Sequence, residues 1–280
     1  MERTQFALNK YNVELYVLRI DLIDTFYGGN KYFKLKYNIT EAKNQNKNTL
    51  LTFGGAFSNH IVAVAASGKK EGFRTIGIIR GEKILPLNKT LQFASENGMQ
   101  LEFIARQKYR TKENAEFIND LKKRFGDFYL LPEGGSNDLA VKGCSEIINL
   151  IEGDFDYIVC ATATGATLSG IASVIKPPQK AIGICVLNNE LQIKEFVKKF
   201  IAEDDKRFPE IITGYTFGGY AKSNLELNDF VKSFIEKYQI PSEPIYTGKL
   251  LYAIIDLMEK NYFKPDSKII AVHTGGLQYL

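Results

Sequence analysis

Two patterns alternate along the whole chain. Short, nearly continuous apolar runs occupy 15–20, 50–53, 75–80, 101–105, 128–131, 157–161, 181–187 and 269–273. Between many of them lie stretches whose apolar residues recur every three or four positions: 61–71, 86–97, 114–125, 140–150, 165–175, 192–202, 225–237 and 249–261. Continuous apolar runs suit strands buried on both faces, and the longer period is that of amphipathic helices. Their alternation predicts an α/β protein of mostly parallel, twisted sheet flanked by helices. The polar turn 132–138 (PEGGSND) marks a crossover between two lobes. A small domain over 46–135 and a larger one combining 1–45 with 136–280 are expected. Ligands in such folds bind beyond the carboxyl ends of strands, where loops enter helix N-termini.

Composition narrows the class without fixing the chemistry. The 280 residues, 45% hydrophobic and 24% charged, suit a soluble globular protein of one large or two modest domains. A net charge of +4, with scattered lysines, gives no basic stripe that would track nucleic acid. No apolar run is long enough for a bilayer, and 1–10 lacks a signal peptide's apolar core. The three cysteines, Cys144, Cys160 and Cys185, have no metal-like spacing and read as reduced thiols, which points to the cytoplasm. With only His60 and His273, a histidine-rich metal centre is excluded, so no metal site is expected.

Four glycine-containing motifs are candidates for chemistry. Gly28-Gly29-Asn30-Lys31 combines a sharp turn with a lysine at what reads as a helix start. The positive field there helps keep part of the amine unprotonated and nucleophilic, as Schiff-base chemistry requires. Gly54 to His60 (GGAFSNH) follows a strand and opens a helix, where Ser58 or Asn59 can serve as cap. The free N–H groups of that first turn are also a carboxylate site. His60 reads either as part of that site or as a partly buried helix residue. Residues 161–170 (ATATGATLSG) place Thr164, Gly165, Ala166 and Thr167 at another strand-to-helix turn, either a plain turn or a phosphate cradle of N–H groups and hydroxyls. Neither P-loop nor Rossmann spacing is present, which weighs against a plain nucleotide-binding domain. Near the C-terminus, Gly218-Gly219-Tyr220, the loop 244–249 (PIYTGK) and His273-Thr274-Gly275-Gly276 are further turns that carry polar groups.

In this order the motifs make the chain similar to the pyridoxal-phosphate enzymes of the tryptophan-synthase β-like fold (fold type II). Among them it resembles the D-cysteine desulfhydrase and 1-aminocyclopropane-1-carboxylate deaminase family, from the strand before Asp21 through to Gly276. The resemblance implies pyridoxal phosphate as cofactor, a small amino-acid substrate and a homodimer. It implies that Lys31 carries the cofactor covalently and that Asn59 meets its ring hydroxyl. Ser58 and the turn after it, including His60, would take the substrate carboxylate. Thr164, Gly165, Ala166 and Thr167 would hold the phosphate. Tyr220 and Tyr246 would face the substrate, Thr247 would stand beside the pyridine nitrogen, and Thr274 would line that end. Lys31, Ser58, Tyr220 and Tyr246 are thus the expected catalytic set. The chain departs from the family pattern at Phe33, where an arginine is common, and at Ala166, where glycine or serine is common.

Thr247 bears on which bond breaks. A carboxylate beside the pyridine nitrogen strengthens the electron sink, and the deaminase branch resembles that case, with a glutamate there. A neutral hydroxyl gives a weaker sink, which suits removal of an α-proton ahead of a good leaving group. The desulfhydrase branch is similar in carrying threonines at the positions of Thr247 and Thr274. β-Elimination is therefore the expected reaction. Deamination of the cyclopropane amino acid, racemisation or dehydration of serine, threonine or aspartate, and non-catalytic cofactor binding are the alternatives.

Overall fold

A computed structural model describes residues 4–24 and 27–277. The first part of the chain runs β1 (Thr4–Lys10), β2 (Val13–Leu18), α1 (Asn30–Asn44), β3 (Thr49–Gly55), α2 (Asn59–Glu71), β4 (Arg74–Arg80), α3 (Lys89–Glu96), β5 (Met99–Ile104), α4 (Arg106–Tyr109), α5 (Ala115–Phe125) and β6 (Tyr129–Leu131). The second part adds α6 (Asp138–Ser145), β7 (Tyr157–Thr162), α7 (Ala166–Val174), β8 (Lys180–Cys185), α8 (Glu190–Lys198), β9 (Glu210–Ile212), α9 (Leu225–Tyr238), α10 (Thr247–Glu259) and β10 (Lys268–Val272).

The strands form two sheets. One has the order β5-β4-β3-β6 and is wholly parallel. The other has the order β1-β2-β10-β7-β8-β9, parallel except for the β1–β2 hairpin. Each sheet is packed on both faces, as parallel sheets require. Val159, Ile182 and Ala271 meet Leu250, Ile254 and Leu257 of α10 on one face of the larger sheet. Ile158, Cys160 and Ile270 meet Leu168 and Ile171 of α7 on the other. In the smaller sheet Leu50 faces Ile61 and Val64 of α2, and Leu51 and Ile78 face Phe117 and Leu121 of α5. The two-sheet α/β architecture is the one the pattern predicts.

The differences lie where burial is one-sided or polar. β1 is an edge strand closed by a two-residue turn at Tyr11 and Asn12, both with positive φ (57° and 54°). Its sequence lacks an apolar run. β9 is three residues long at the opposite edge. The stretch 140–150 is not one helix: α6 ends at Ser145 and a 3-10 turn follows. α1 buries Phe33, Leu35, Ile39 and Ala42, but Lys34 and Asn38 as well, which blurs its apolar stripe. All three cysteines are free and buried. Among the described residues no helix is long and apolar enough to cross a membrane, and no cluster suits a metal ion.

Candidate active site

The carboxyl ends of β3, β7 and β10 lie next in sequence to the turns at Ser58, Gly165 and Thr274. These turns and the start of α1 line one cavity. Its walls include Asn30, Lys31, Lys34, Ser58, Asn59, His60, Thr164, Gly165, Thr167, Tyr246 and Thr274, and no acidic residue. With Lys34 among them and no acid among the described lining residues, these walls suit anionic ligands.

Lys31 owes its place to two glycines. Gly29 caps α1 with φ 81°, and a Cβ there would stand 2.1 Å from the Thr274 carbonyl oxygen. A Cβ on Gly28 would stand 2.3 Å from the Asp21 carbonyl oxygen. The Asn30 N–H donates to the Thr274 carbonyl (3.2 Å), so the turn before α1 rests backbone to backbone on the turn after β10. That second turn is itself pinned. His273 Nδ1 lies 3.1 Å from Asp21 Oδ1, and its Nε2 is 2.7 Å from the Pro241 carbonyl. Burial would raise the Asp21 carboxyl, but hydrogen bonds from His273 and Arg19 outweigh it and bring it down to about 2. Gly29→Ala has no relaxed solution here. Positive φ alone costs about 1–3 kcal/mol for a residue with a Cβ, and the carbonyl contact adds to it. We expect a lowered thermal midpoint together with weakened cofactor retention, measured by calorimetry and absorbance.

Lys31 is the second residue of α1 and makes no hydrogen bond or ion pair among the described residues. Burial and then the charge of Lys34 hold its pKa well below that of a free lysine. The N-terminal field of α1 acts in the same direction. Both effects favour the nucleophilic, uncharged form of its amine.

Gly165 caps α7 with φ 91°, and the first intrahelical bond runs from the Ser169 N–H to the Gly165 carbonyl (2.8 Å). The N–H groups before it are left for a ligand. Ala166 is fully buried against Ala140 and Val141, so only its backbone can serve the cavity. Asn30 Nδ2 donates to Thr167 Oγ1 (2.9 Å), tying the start of α1 to the start of α7. Ser58 caps α2 by accepting from the Ile61 N–H (3.4 Å), and Asn59 sits against Gly276. The His60 imidazole is buried, with Nε2 at 2.8 Å from Thr52 Oγ1. Its Nδ1 has no partner among the described residues. Burial, then the charges of Lys31 and Lys34, keep the ring well below the usual histidine pKa.

The late residues separate into layers. Tyr246, the cap of α10, and Thr274 line the cavity. Tyr220 is not among the residues that line it; its ring stands 3.8 Å from where a Cβ of Gly55, at the end of β3, would be. Thr247 is fully buried, and its hydroxyl donates to Glu243 Oε1 (3.2 Å).

Three contributors escaped the sequence reading. Lys34 is buried, and its Nζ donates to the Gly134 carbonyl (3.1 Å), Ser136 Oγ (3.1 Å) and Thr164 Oγ1 (3.2 Å). It places a cation at the Thr164–Gly165 turn, and its spacing of three from Lys31 on one helix was the available signal. Asn30 braces α7, as described. Glu243 is a buried carboxylate that accepts from the N–H groups of Ile245 (2.5 Å), Tyr246 (2.9 Å) and Thr247 (2.8 Å). It ties down the start of α10, and burial raises its pKa.

The cavity therefore offers one lysine with no hydrogen-bond partner among the described residues, a second lysine beside a helix N-terminus, and a second helix start at Ser58. That set fits a phosphorylated aldehyde, with an amino acid's carboxylate at the other end. The comparisons agree. A protein of Pyrococcus horikoshii is 30% identical over 283 residues, spanning 94% of this chain and 85% of its own. The mitochondrial bifunctional D-cysteine desulfhydrase/1-aminocyclopropane-1-carboxylate deaminase of Arabidopsis thaliana is 28% identical over 292 residues, 94% of this chain and 72% of its own. A crystal structure of a 1-aminocyclopropane-1-carboxylate deaminase homologue superposes with a TM-score of 0.86 at 26% identity, covering 98% of this chain and 89% of that one. The model of the pyridoxal-phosphate dependent enzyme family matches residues 3–275, and the chain belongs to that family.

Proposed function

We propose that this enzyme catalyses β-elimination from a small amino acid such as D-cysteine, which with water gives pyruvate, ammonia and hydrogen sulfide. One observation carries the reading: Lys31 stands without a hydrogen bond or ion pair among the described residues, its pKa lowered by burial, in a cavity with an anion-binding turn (Thr164–Thr167 with Lys34) and a second helix start (Ser58–Asn59). Bound there, pyridoxal phosphate supplies an electron sink for negative charge at the substrate α-carbon. Lys34, Thr164, Thr167 and the N–H groups of α7 hold its phosphate, and Asn59 meets its ring hydroxyl. Ser58 and the first turn of α2, with His60 behind it, receive the substrate carboxylate. Lys31 would carry the cofactor, and its free amine would accept the α-proton. Tyr246 in the cavity, and Tyr220 from its place beside Gly55, supply hydroxyls where the thiolate leaves. The two sheets act as two lobes, 46–135 and the remainder, whose approach excludes water.

Deamination of 1-aminocyclopropane-1-carboxylate is the second reading, and a specific observation favours it. Thr247 is not an isolated neutral group: the Glu243 carboxylate stands one hydrogen bond behind it. A strong sink is then available without a glutamate at position 247. The Arabidopsis relative's name joins both activities.

Purified, cofactor-loaded protein incubated with D-cysteine, L-cysteine, D-serine and the cyclopropane amino acid separates the readings. Pyruvate with sulfide from D-cysteine is expected. 2-Oxobutanoate as the dominant product establishes the second reading, and neither keto acid contradicts both.

A further inference from the structure

The motif at 244–249 ends in a lysine that the proposed chemistry does not use. Lys249 lies in the first turn of α10 and is fully buried, yet it makes no ion pair among the described residues. Its Nζ donates to two backbone carbonyls, those of Thr216 (2.7 Å) and Gly219 (2.9 Å). Its hydrogen bonds go only to neutral carbonyls, and the Glu243 carboxylate attracts it without forming an ion pair, so an apolar side chain would fill the space at less desolvation cost. The carbonyls it holds are therefore the informative part.

They bracket a contorted segment. Phe217, Gly218, Gly219 and Ala221 have φ of 47°, 91°, 106° and 54°. Two of these are not glycine, so the backbone there is held in a conformation that such residues rarely adopt. The residue this segment presents is Tyr220, which reaches across to Gly55 at the carboxyl end of β3, its hydroxyl 3.9 Å from where a Cβ would be. Lys249 is also three residues along from Tyr246, the cap of the same helix. One helix start thus carries Tyr246 directly and Tyr220 through the Lys249 ammonium.

We infer that Lys249 is a positioning residue that acts through Tyr220, fixing the 216–221 turn so that both tyrosines are set by α10. This rests on the reading that Tyr220 meets the substrate. Lys249→Met removes the donor and keeps an unbranched side chain in the space, and Lys249→Arg keeps a donor. The test is a double-mutant cycle of Lys249→Met with Tyr220→Phe, read as kcat and KM on the amino acid the enzyme turns over best. Cofactor absorbance and tryptic cleavage at the exposed Lys222 are followed alongside.

A misplaced group commonly costs about 100-fold in rate, so Lys249→Met is expected to lower kcat about 10–100-fold. Cofactor absorbance should stay unchanged and cleavage at Lys222 should be faster. In the Tyr220→Phe background the same substitution should lower kcat less than about twofold, and Lys249→Arg should recover part of the loss. Independent, multiplying losses overturn the inference. So does a Tyr220→Phe variant with unaltered kcat, or a Lys249→Met variant whose cleavage at Lys222 is no faster. If Lys249→Met does not fold, the cycle is run with Lys249→Arg and judged by the same non-additivity. A wild-type enzyme that forms no keto acid from any substrate contradicts the functional reading instead, and cleavage at Lys222 still decides whether Lys249 holds the turn.

Discussion

Lys31→Ala removes turnover and the visible absorbance of the bound cofactor together. The lysine is the one amine in the cavity with no hydrogen bond or ion pair among the described residues, and burial with Lys34 nearby lowers its pKa. In the proposed reaction it is both the covalent anchor and the acceptor of the α-proton. Loss of the proton-transfer role alone is worth about 10²–10⁴-fold in rate, and loss of the anchor adds to it. The fold should survive, because alanine is a better helix former than lysine and the N–H to Thr274 contact of Asn30 is untouched. Circular dichroism and the thermal midpoint of the cofactor-free protein should match those of the wild type. A variant that keeps both rate and absorbance would remove Lys31 from its role.

Lys34→Met separates cofactor binding from folding. In the cofactor-free protein Lys34 is a buried cation whose desolvation is offset only by neutral oxygens, and burial lowers its pKa. A Met of similar length relieves that cost, so the cofactor-free protein should melt at the same temperature or higher. With the phosphate present the sign reverses. A charge-assisted hydrogen bond contributes about 1.5–3 kcal/mol, so cofactor affinity should fall about 10–100-fold. The stabilisation of the loaded protein should shrink in step. Titration of pyridoxal phosphate by absorbance, with melting curves at each concentration, measures both arms. Equal affinity for Met and Lys would place the phosphate elsewhere.

Much of this site could be read in the sequence because it sits where buried strands end. β3 is buried from Thr49 to Gly55 and β7 from Tyr157 to Thr162. Both show as continuous apolar runs, and each opens directly onto a glycine-bearing helix start. The two glycines before Lys31 were equally visible, since backbone contacts with Asp21 for Gly28 and with Thr274 for Gly29 admit no Cβ. Lys34 was not, because a lysine in a polar-looking helix reads as solvated, and only the tertiary fold turns it inward beside Thr164. Asn38, which is buried in the same helix and bonded to Asn137 and Tyr129, misled in the same way. The edge strands β1 and β9 carry little apolar signal because one side of each needs no partner strand.

Thr247 shows a different limit. Its identity argued for a neutral group and hence a weak sink, but a hydroxyl takes its character from what it bonds to. The buried Glu243 four residues earlier accepts its hydrogen bond and those of the next backbone N–H groups. The motif names the side chain and the fold supplies its charge environment. The same holds for Lys249, whose motif position is plain but whose reach to the Tyr220 turn depends on a loop with no regular period.

The central claim is that Lys31 holds the cofactor in a cavity made by the starts of α1, α2 and α7. Borohydride reduction of the cofactor-loaded protein, followed by peptide mass mapping, tests it most directly. One pyridoxyl-phosphate adduct per chain is expected, on the peptide containing Lys31, with Lys34 unmodified. An adduct on Lys34 or on any other lysine, or no adduct at all in protein that carries the cofactor, would contradict it.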